Sequence, residues 1–480
     1  MNYLMIKYIL FKIMEIEGLF LLLPCIVSAG YGENEWLVYG VMALITTGIG
    51  YLGSRKKPVN PVFYAREGFV SVAIGWILLG FIGAIPFCLT GEIPSFTDAL
   101  FETISGFTTT GASILTDVEA LSHGTIFWRS FTHWVGGMGV LVFILAIMPL
   151  TGGYNVHILR AESPGPSVGK LVPRTRQTAL ILYKIYFSMT VLEIVLLKIS
   201  GMPLFDAITI SFGTAGTGGF GIKNSSIADY SSLCQTIITI FMMLFGVNFS
   251  IYYLILQKKW RQAVKSEELR WYFGIFAAAV LIIAIDLSHL TLNFGERLHD
   301  SAFQVASIMT TTGFSTKDFS GWPSLSKSIL VLLMFVGACA GSTGGGMKVS
   351  RIITYVKMVH SEIAMAIHPR RVKTLHFENK PMNDMTIRGI QAYLTAFLFI
   401  FTSSVLLIAV DGYDLITNFT AVAATINNIG PGLNIVGPTG NFSGFSHFSK
   451  WVLIFDMLVG RLEIFPVLIL FAPKTWKRGE

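Results

Sequence analysis

Runs of about twenty apolar residues alternate with short polar stretches along nearly the whole chain. A helix needs about twenty mostly apolar residues to cross a bilayer. Stretches near 5–29, 35–53, 67–90, 126–150, 178–200, 233–257, 271–290, 326–358, 389–410 and 449–472 meet that requirement. The pattern predicts ten spanning segments and an all-α polytopic membrane protein. The 326–358 stretch is too long for one plain crossing and is broken by Gly341-Ser342-Thr343-Gly344-Gly345-Gly346. Lys7 and Lys12 ahead of an apolar run to Ala29 resemble a signal peptide, but Glu15 and Glu17 interrupt that run and no convincing cleavage motif follows. The first segment therefore reads as a retained helix.

Four of the connections are not simple loops. Each holds a short apolar or amphipathic stretch that ends in a turn rich in Gly and Thr. The first runs from Asp98 to Thr108-Thr109-Thr110-Gly111, the second from Asp206 to Gly216-Thr217-Gly218-Gly219, the third from Asp300 to Thr310-Thr311-Thr312-Gly313. The fourth starts near Thr417 and ends Asn427-Asn428-Ile429-Gly430-Pro431-Gly432. Aligning Gly111, Gly219, Gly313 and Gly430 puts Asp98, Asp206, Asp300 and Thr417 at one shared position, 13 residues upstream. The glycines are 108, 94 and 117 residues apart, so the chain carries a diverged fourfold repeat. Each unit reads as helix, half-helix, Gly-turn, helix, with Asp or Thr as the half-helix N-cap.

Composition excludes the soluble alternatives. Apolar residues make up 53% of the chain and charged residues 13%, against roughly 25% charge in a soluble domain; mean hydropathy is +0.64. Extracellular enzymes, nucleic-acid binders and disordered scaffolds are ruled out as descriptions of the whole chain. The net charge is +7, and its placement follows membrane topology. With a cytoplasmic N-terminus, inside segments hold Arg55, Lys56, Lys57 and Arg66, then Arg160, Lys170, Arg174, Arg176 and Lys184. Lys258, Lys259, Arg261, Lys265 and Arg270 follow, then the stretch from Lys348 to Arg388, and Lys474, Lys477 and Arg478. Outside loops hold few basic residues. The cysteines, Cys25, Cys88, Cys234 and Cys339, form no CxxC pair and read as small core residues.

The repeated turn suggests its own chemistry. A half-helix too short to span must re-enter and stop partway, where irregular backbone survives only if it is buried in protein or lines water. Four half-helices around one axis would aim four partly negative C-termini at one cavity. Glycine after each lets consecutive carbonyls point inward and replace an ion's hydration shell. No carboxylate sits in the turns, which argues against a tight divalent site and for a weakly held monovalent cation, potassium above others.

Thr108–Ser113, Gly216–Gly221, Thr310–Ser315 and Asn427–Gly432, each between two spanning segments, resemble the four filter segments of the Trk/Ktr/HKT potassium transporter superfamily. The resemblance covers nearly the whole chain from about residue 60. Two additional helices ahead of the first repeat match the bacterial TrkH/TrkG branch rather than the shorter KtrB branch. It implies a pseudo-fourfold pore and potassium uptake across the bacterial inner membrane, with both termini cytoplasmic. It also implies a homodimer and a cytosolic nucleotide-binding partner of the TrkA type, which would carry any nucleotide. On this resemblance the filter residues are Thr109, Thr110, Gly111, Thr217, Gly218, Gly219, Thr311, Thr312, Gly313, Asn428, Ile429 and Gly430. Glycine at 111, where some sodium-conducting plant relatives carry serine, favours potassium. Pro431 locks its φ, so the fourth quarter cannot copy the other three. The expected division is two N-terminal helices (1–58), then repeats at 59–156, 157–258, 259–365 with an intramembrane gate loop, and 366–480.

Gly341, Ser342, Thr343, Gly344, Gly345 and Gly346 suit that gate, because small residues allow several backbone states of similar energy; a passive kink is the alternative. Arg461 lies in the last spanning segment, where a charge costs about 2.5 kcal/mol or more and usually faces a cavity. It is expected to raise a barrier to cations or hold the loop through carbonyls; an ion pair with Asp456 or Glu463 is the alternative. Gly216-x-Gly218-x-x-Gly221 and Gly341–Lys348 imitate nucleotide motifs but lack the strand context or the Gly-Lys-Ser/Thr ending. The basic stretch 367–388 fits contact with anionic lipid or docking of a regulatory ring. A secondary transporter coupling potassium to protons or sodium is the competing reading. Alternating access favours inverted repeats and midplane carboxylates, whereas these repeats all enter from one side. A membrane-embedded enzyme has no catalytic constellation in this sequence.

Overall fold

The computed structural model describes all residues except 57, 59–63, 140–174, 290–292, 369–373 and 477–480. Lys57, Arg160, Lys170, Arg174, Arg370, Arg371, Lys373, Lys477 and Arg478 therefore lie outside the described residues, as does the second half of the segment expected at 126–150. Apart from two short paired strands, His376–Phe377 and Lys380–Pro381, the described secondary structure is helical. The fold is that of an all-α polytopic membrane protein.

The first apolar stretch forms two helices, Tyr3–Phe20 and Leu22–Tyr31, which meet at Leu21 and pack on Trp36–Ser54. Each later unit opens with a long helix: Ala65–Leu89, Thr175–Ile199, Glu267–Asp286 and Asp384–Ile408. A short helix follows in each, Phe96–Phe107, Leu204–Gly216, Phe294–Met309 and Leu415–Ile426. At about 1.5 Å of rise per residue these cannot cross a hydrocarbon core of roughly 30 Å. Large apolar side chains such as Leu44, Ile199 and Phe399 remain exposed on the long helices, as a lipid-facing surface requires.

The third helix of the second, third and fourth units departs from the hydropathy pattern. Among the described residues, five helices are long and apolar enough to cross a membrane, or six if a bent pair counts as one. Ser232–Phe245 and Phe249–Leu256 meet at 92°. Ser324–Val336 and Val349–Ile367 are separated by the non-helical stretch 337–348, longer than the six residues the glycines marked. His447–Arg461 gives way to Phe465–Phe471 through Glu463 and Ile464, both at positive φ. An apolar run records what lipid or protein surrounds a segment, and a broken helix buried in protein reads the same as an intact one.

The half-helix N-caps also differ from expectation. Ser95, Asn293 and Asp414 accept backbone N–H groups as caps, and Pro203 occupies the equivalent place in the second unit. Asp98 and Asp206 lie in the first turn instead, where a carboxylate still complements the helix dipole. Thr417 takes the same first-turn place in the fourth half-helix and bonds to the Asp414 cap. The third half-helix starts at Phe294, which places Asp300 in its interior.

Candidate functional site

Each half-helix ends in the same hydrogen-bonded closure. Thr110 N donates to Ser105 O and Thr109 N to Gly106 O, at 2.8 and 3.0 Å. The equivalent pairs are Gly218 to Gly213 with Thr217 to Thr214, Thr312 to Ser307 with Thr311 to Ile308, and Ile429 to Ala424 with Asn428 to Thr425. The first bond of each set measures 2.8 Å. This is the Schellman cap, which requires a left-handed residue and ordinarily selects glycine. Here that residue is Thr109, Thr217, Thr311 or Asn428, at φ 54, 54, 59 and 54°. A β-branched residue in that region is an outlier and carries about 1–2 kcal/mol of strain. Strained threonines at three matched positions, with the more tolerant Asn428 at the fourth, mark the four turns as the candidate site.

Two residues further on, Gly111, Gly219, Gly313 and Gly430 again take positive φ, at 78, 77, 84 and 100°. The residues between, Thr110, Gly218, Thr312 and Ile429, do not. The Schellman bonds use up carbonyls of the last helical turn. The carbonyls of the turn itself take no part in those bonds.

The four turns meet. A Cβ on Gly111 would run into the carbonyl oxygen of Gly218, one on Gly219 into that of Thr312, and one on Gly313 into that of Ile429. One on Gly430 would stand 2.8 Å from the Thr110 oxygen, which closes the circle. A cavity of about 150 Å³ touches all four glycines. Eight of the twelve residues that the sequence singled out, Thr110, Gly111, Gly218, Gly219, Thr312, Gly313, Ile429 and Gly430, thus meet in one ring in the order of the repeats.

Ring neighbours are not chemically equal. Thr108 and Thr110 hydroxyls bond at 2.8 Å, as do those of Thr310 and Thr312 on the opposite quarter. In the second quarter Gly218 leaves room for the buried His133 ring, which fills the place a Cβ would take. In the fourth, Asn428 Nδ2 donates to Thr110 Oγ1 and to the Met457 carbonyl, both at 2.9 Å. Behind the first turn, buried Glu102 accepts from Arg129 Nε at 2.6 Å, Ser113 Oγ at 2.9 Å and Ile114 N at 3.0 Å. Arg129 also donates to Gly221 O at 2.8 Å and lies 3.6 Å over the Phe220 ring.

The stretch 337–348 lies directly against this ring. Gly345 N donates to Thr311 Oγ1 at 2.6 Å, and a Cβ on Gly345 would meet Asn427 O at 2.6 Å. The 92° bend of the second unit receives the same stretch: Cys339 N donates to Gly246 O and Phe249 N to Gly341 O, both at 3.0 Å. Arg461 joins three units, donating to Thr343 O at 2.8 Å, Gly136 O at 2.5 Å and Gly137 O at 2.8 Å. Glu463 pairs with Arg351, and Asp456 Oδ1 accepts from Ser404 at 2.7 Å.

Three charges beside the non-helical stretch were not foreseen as buried. Lys348 and Arg351, counted there among surface cations, are 1% and 5% exposed. Lys348 Nζ donates to the carbonyls of Gly344 and Gly345, and Arg351 lies 3.9 Å over the Tyr393 ring beside Glu463. Glu268 is buried at the start of its long helix. The available signal was a charge abutting an apolar run, but counting basic residues by loop assigned Lys348 and Arg351 to the surface and passed over Glu268.

The cation transport protein family TrkH matches residues 37–478. A "Trk system potassium uptake protein TrkH" of Salmonella typhimurium is 37% identical over 475 residues, covering 95% of this chain and 96% of that protein. A "Trk system potassium uptake protein TrkG" of Escherichia coli K12 is 31% identical, with 96% of each chain covered. The crystal structure of the potassium transporter TrkH from Vibrio parahaemolyticus superimposes with a TM-score of 0.90 at 31% identity, over 99% of this chain and 100% of that one. With a family match across nearly its full length and that fold, the chain belongs to the TrkH cation transport family, in the TrkH/TrkG branch, and is a transporter rather than an enzyme.

Proposed function

We propose that this protein takes up potassium through a gated, channel-like pore whose selectivity filter is the ring of Thr109–Gly111, Thr217–Gly219, Thr311–Gly313 and Asn428–Gly430. One observation carries the reading: four turns of matched backbone conformation touch in cyclic order. Alternating the hand of successive residues turns successive peptide planes the same way, so neighbouring carbonyls can face one axis. Oxygens fixed there replace water around a weakly hydrated ion at little reorganisation cost. The strain at the three left-handed threonines is the cost of holding them. The stretch containing Gly341–Gly346 is the gate, since it packs against the ring's third and fourth quarters. Arg461 and Lys348 bring positive charge to that loop, which opposes cation passage until it moves.

The relatives named as potassium uptake proteins support the ion, and the basic residues 258–270 support a cytoplasmic face opposite the half-helices. In this reading the protein resides in the bacterial inner membrane with both termini inside, pairs as a homodimer and is regulated by a TrkA-type nucleotide-binding subunit. Purified protein in liposomes tests it. Saturable rubidium uptake driven by membrane potential, competed by potassium more than by sodium and indifferent to a proton gradient, is the expected result. Flux that strictly requires a proton or sodium co-ion overturns the channel-like reading in favour of coupled transport.

A further inference from the structure

A chain of hydrogen bonds runs from a surface hairpin to the intramembrane loop. The strands His376–Phe377 and Lys380–Pro381 are joined by Glu378 and Asn379, both left-handed at φ 51 and 59°. Such two-residue turns favour Asn-Gly or Asp-Gly, and glutamate in the first position is a poor choice for the backbone. Its side chain explains its presence. Glu378 Oε1 accepts from Ser266 Oγ at 2.8 Å and from Glu268 N at 3.1 Å, adding a carboxylate to the N-terminus of helix Glu267–Asp286. Lys357, on helix Val349–Ile367, ties the same corner together through Glu267 at 2.6 Å and His376 O at 2.8 Å.

Glu268, whose N–H the hairpin holds, turns its own side chain inward. One oxygen, Oε1, accepts from Ala340 N at 2.7 Å and Ser350 N at 3.1 Å. Ala340 lies within the non-helical stretch and Ser350 in the first turn of the helix that follows it. A single buried carboxylate oxygen thus pins both sides of the loop that abuts the ring. Losing it leaves two buried N–H groups without an acceptor. Losing Glu378 leaves donors at a surface corner that water can satisfy. The two links differ in strength in the way a latch and its brace do.

We infer that Glu268 is the positioning residue that holds the intramembrane loop in its blocking place, and that the Glu378 hairpin braces Glu268 from the protein surface. The inference rests on the reading of that loop as the gate. Helix Glu267–Asp286 and its first-turn carboxylate then convert loss of the hairpin contact into weakening of the Ala340 and Ser350 anchors.

Rubidium uptake by the full-length protein in liposomes tests this with four variants. Glu268→Ala should raise uptake by about tenfold, the equivalent of about 1.4 kcal/mol. Glu268→Gln, which keeps an oxygen acceptor for both N–H groups, should stay close to wild type. Glu378→Ala should raise uptake by a smaller factor, and the preference for potassium over sodium should be unchanged in all three. The fourth variant deletes Gly344–Gly346. If deletion raises uptake while Glu268→Ala and Glu378→Ala do not, the latch is wrong and the gate stands. If the deletion also leaves uptake unchanged, the gate reading itself fails. Should Glu268→Ala not fold, Glu378→Ala at the surface decides alone. A rise accompanied by lost ion preference would place the effect in the filter and overturn the inference.

Discussion

Replacing the four ring glycines by alanine one at a time tests the filter against its own geometry. At Gly430 an added Cβ would stand 2.8 Å from Thr110 O and 3.1 Å from Gly111 O. Ordinary contact begins at 3.4 Å, so shifts of about 0.6 and 0.3 Å relieve the crowding. At Gly111, Gly219 and Gly313 the Cβ would overlap the neighbouring carbonyl oxygen outright, and that oxygen must be pushed off the axis or turned away. Left-handed strain adds about 1–2 kcal/mol at every position and does not set the three apart from the fourth. Gly430→Ala should therefore fold and transport with its preference for potassium over sodium reduced about tenfold, a differential of about 1.4 kcal/mol. Gly111→Ala, Gly219→Ala and Gly313→Ala should lose uptake by about a hundredfold or more, roughly 2.7 kcal/mol. Rubidium uptake competed by potassium and sodium measures both quantities, with thermal melting in detergent as the control for folding. Equal behaviour of all four variants, or Gly219→Ala transporting better than Gly430→Ala, would refute the ring.

Other positions give independent checks. Arg461→Ala removes charge-assisted bonds to Thr343, Gly136 and Gly137, each worth about 1.5–3 kcal/mol, and uptake should rise; unchanged flux from folded protein removes the barrier role. Arg129→Ala leaves Glu102 buried without its cation and should cost about 3–5 kcal/mol in denaturation, largely recovered when Glu102→Gln and Arg129→Met are combined. Asn428→Ala breaks the bonds to Thr110 and Met457 and should lower stability by about 1–3 kcal/mol, with ion preference falling alongside it in competition assays. At the entrance to the fourth half-helix, the Thr417 hydroxyl holds the Asp414 carboxyl below its ordinary value. Its contribution to stability is present above the usual carboxylate range and disappears as pH falls through the lowered value. Asp414→Asn should melt earlier than wild type at neutral pH, and the gap should close in acid; a gap that persists at low pH would contradict this.

The membrane class, the fourfold repeat and the positions of the ring were legible because they rest on local signals. About twenty apolar residues mark a segment buried in lipid or protein whether or not its helix is intact, and a glycine needed at positive φ recurs at a fixed distance from its half-helix. Thr109, Thr217, Thr311 and Asn428 stood in matched places along the chain, and the structure gives them one conformation. The N-caps were misplaced because Asp98 and Ser95 are equally good cap chemistry three residues apart, and only the backbone path chooses between them.

What the sequence could not hold is which donors meet which acceptors across units. Lys348 counts as one more positive charge near a membrane face until its ammonium is seen against the carbonyls of Gly344 and Gly345. The bend after Phe245 has no breaker strong enough to foretell it, since the helical bonds given up there are replaced by bonds to Cys339 and Gly341, about ninety residues away. Hydropathy and glycine spacing are properties of a segment alone. Hydrogen bonds between quarters exist only once the quarters are packed, and their burial is what makes a lone oxygen of Glu268 or a guanidinium at Arg461 decisive.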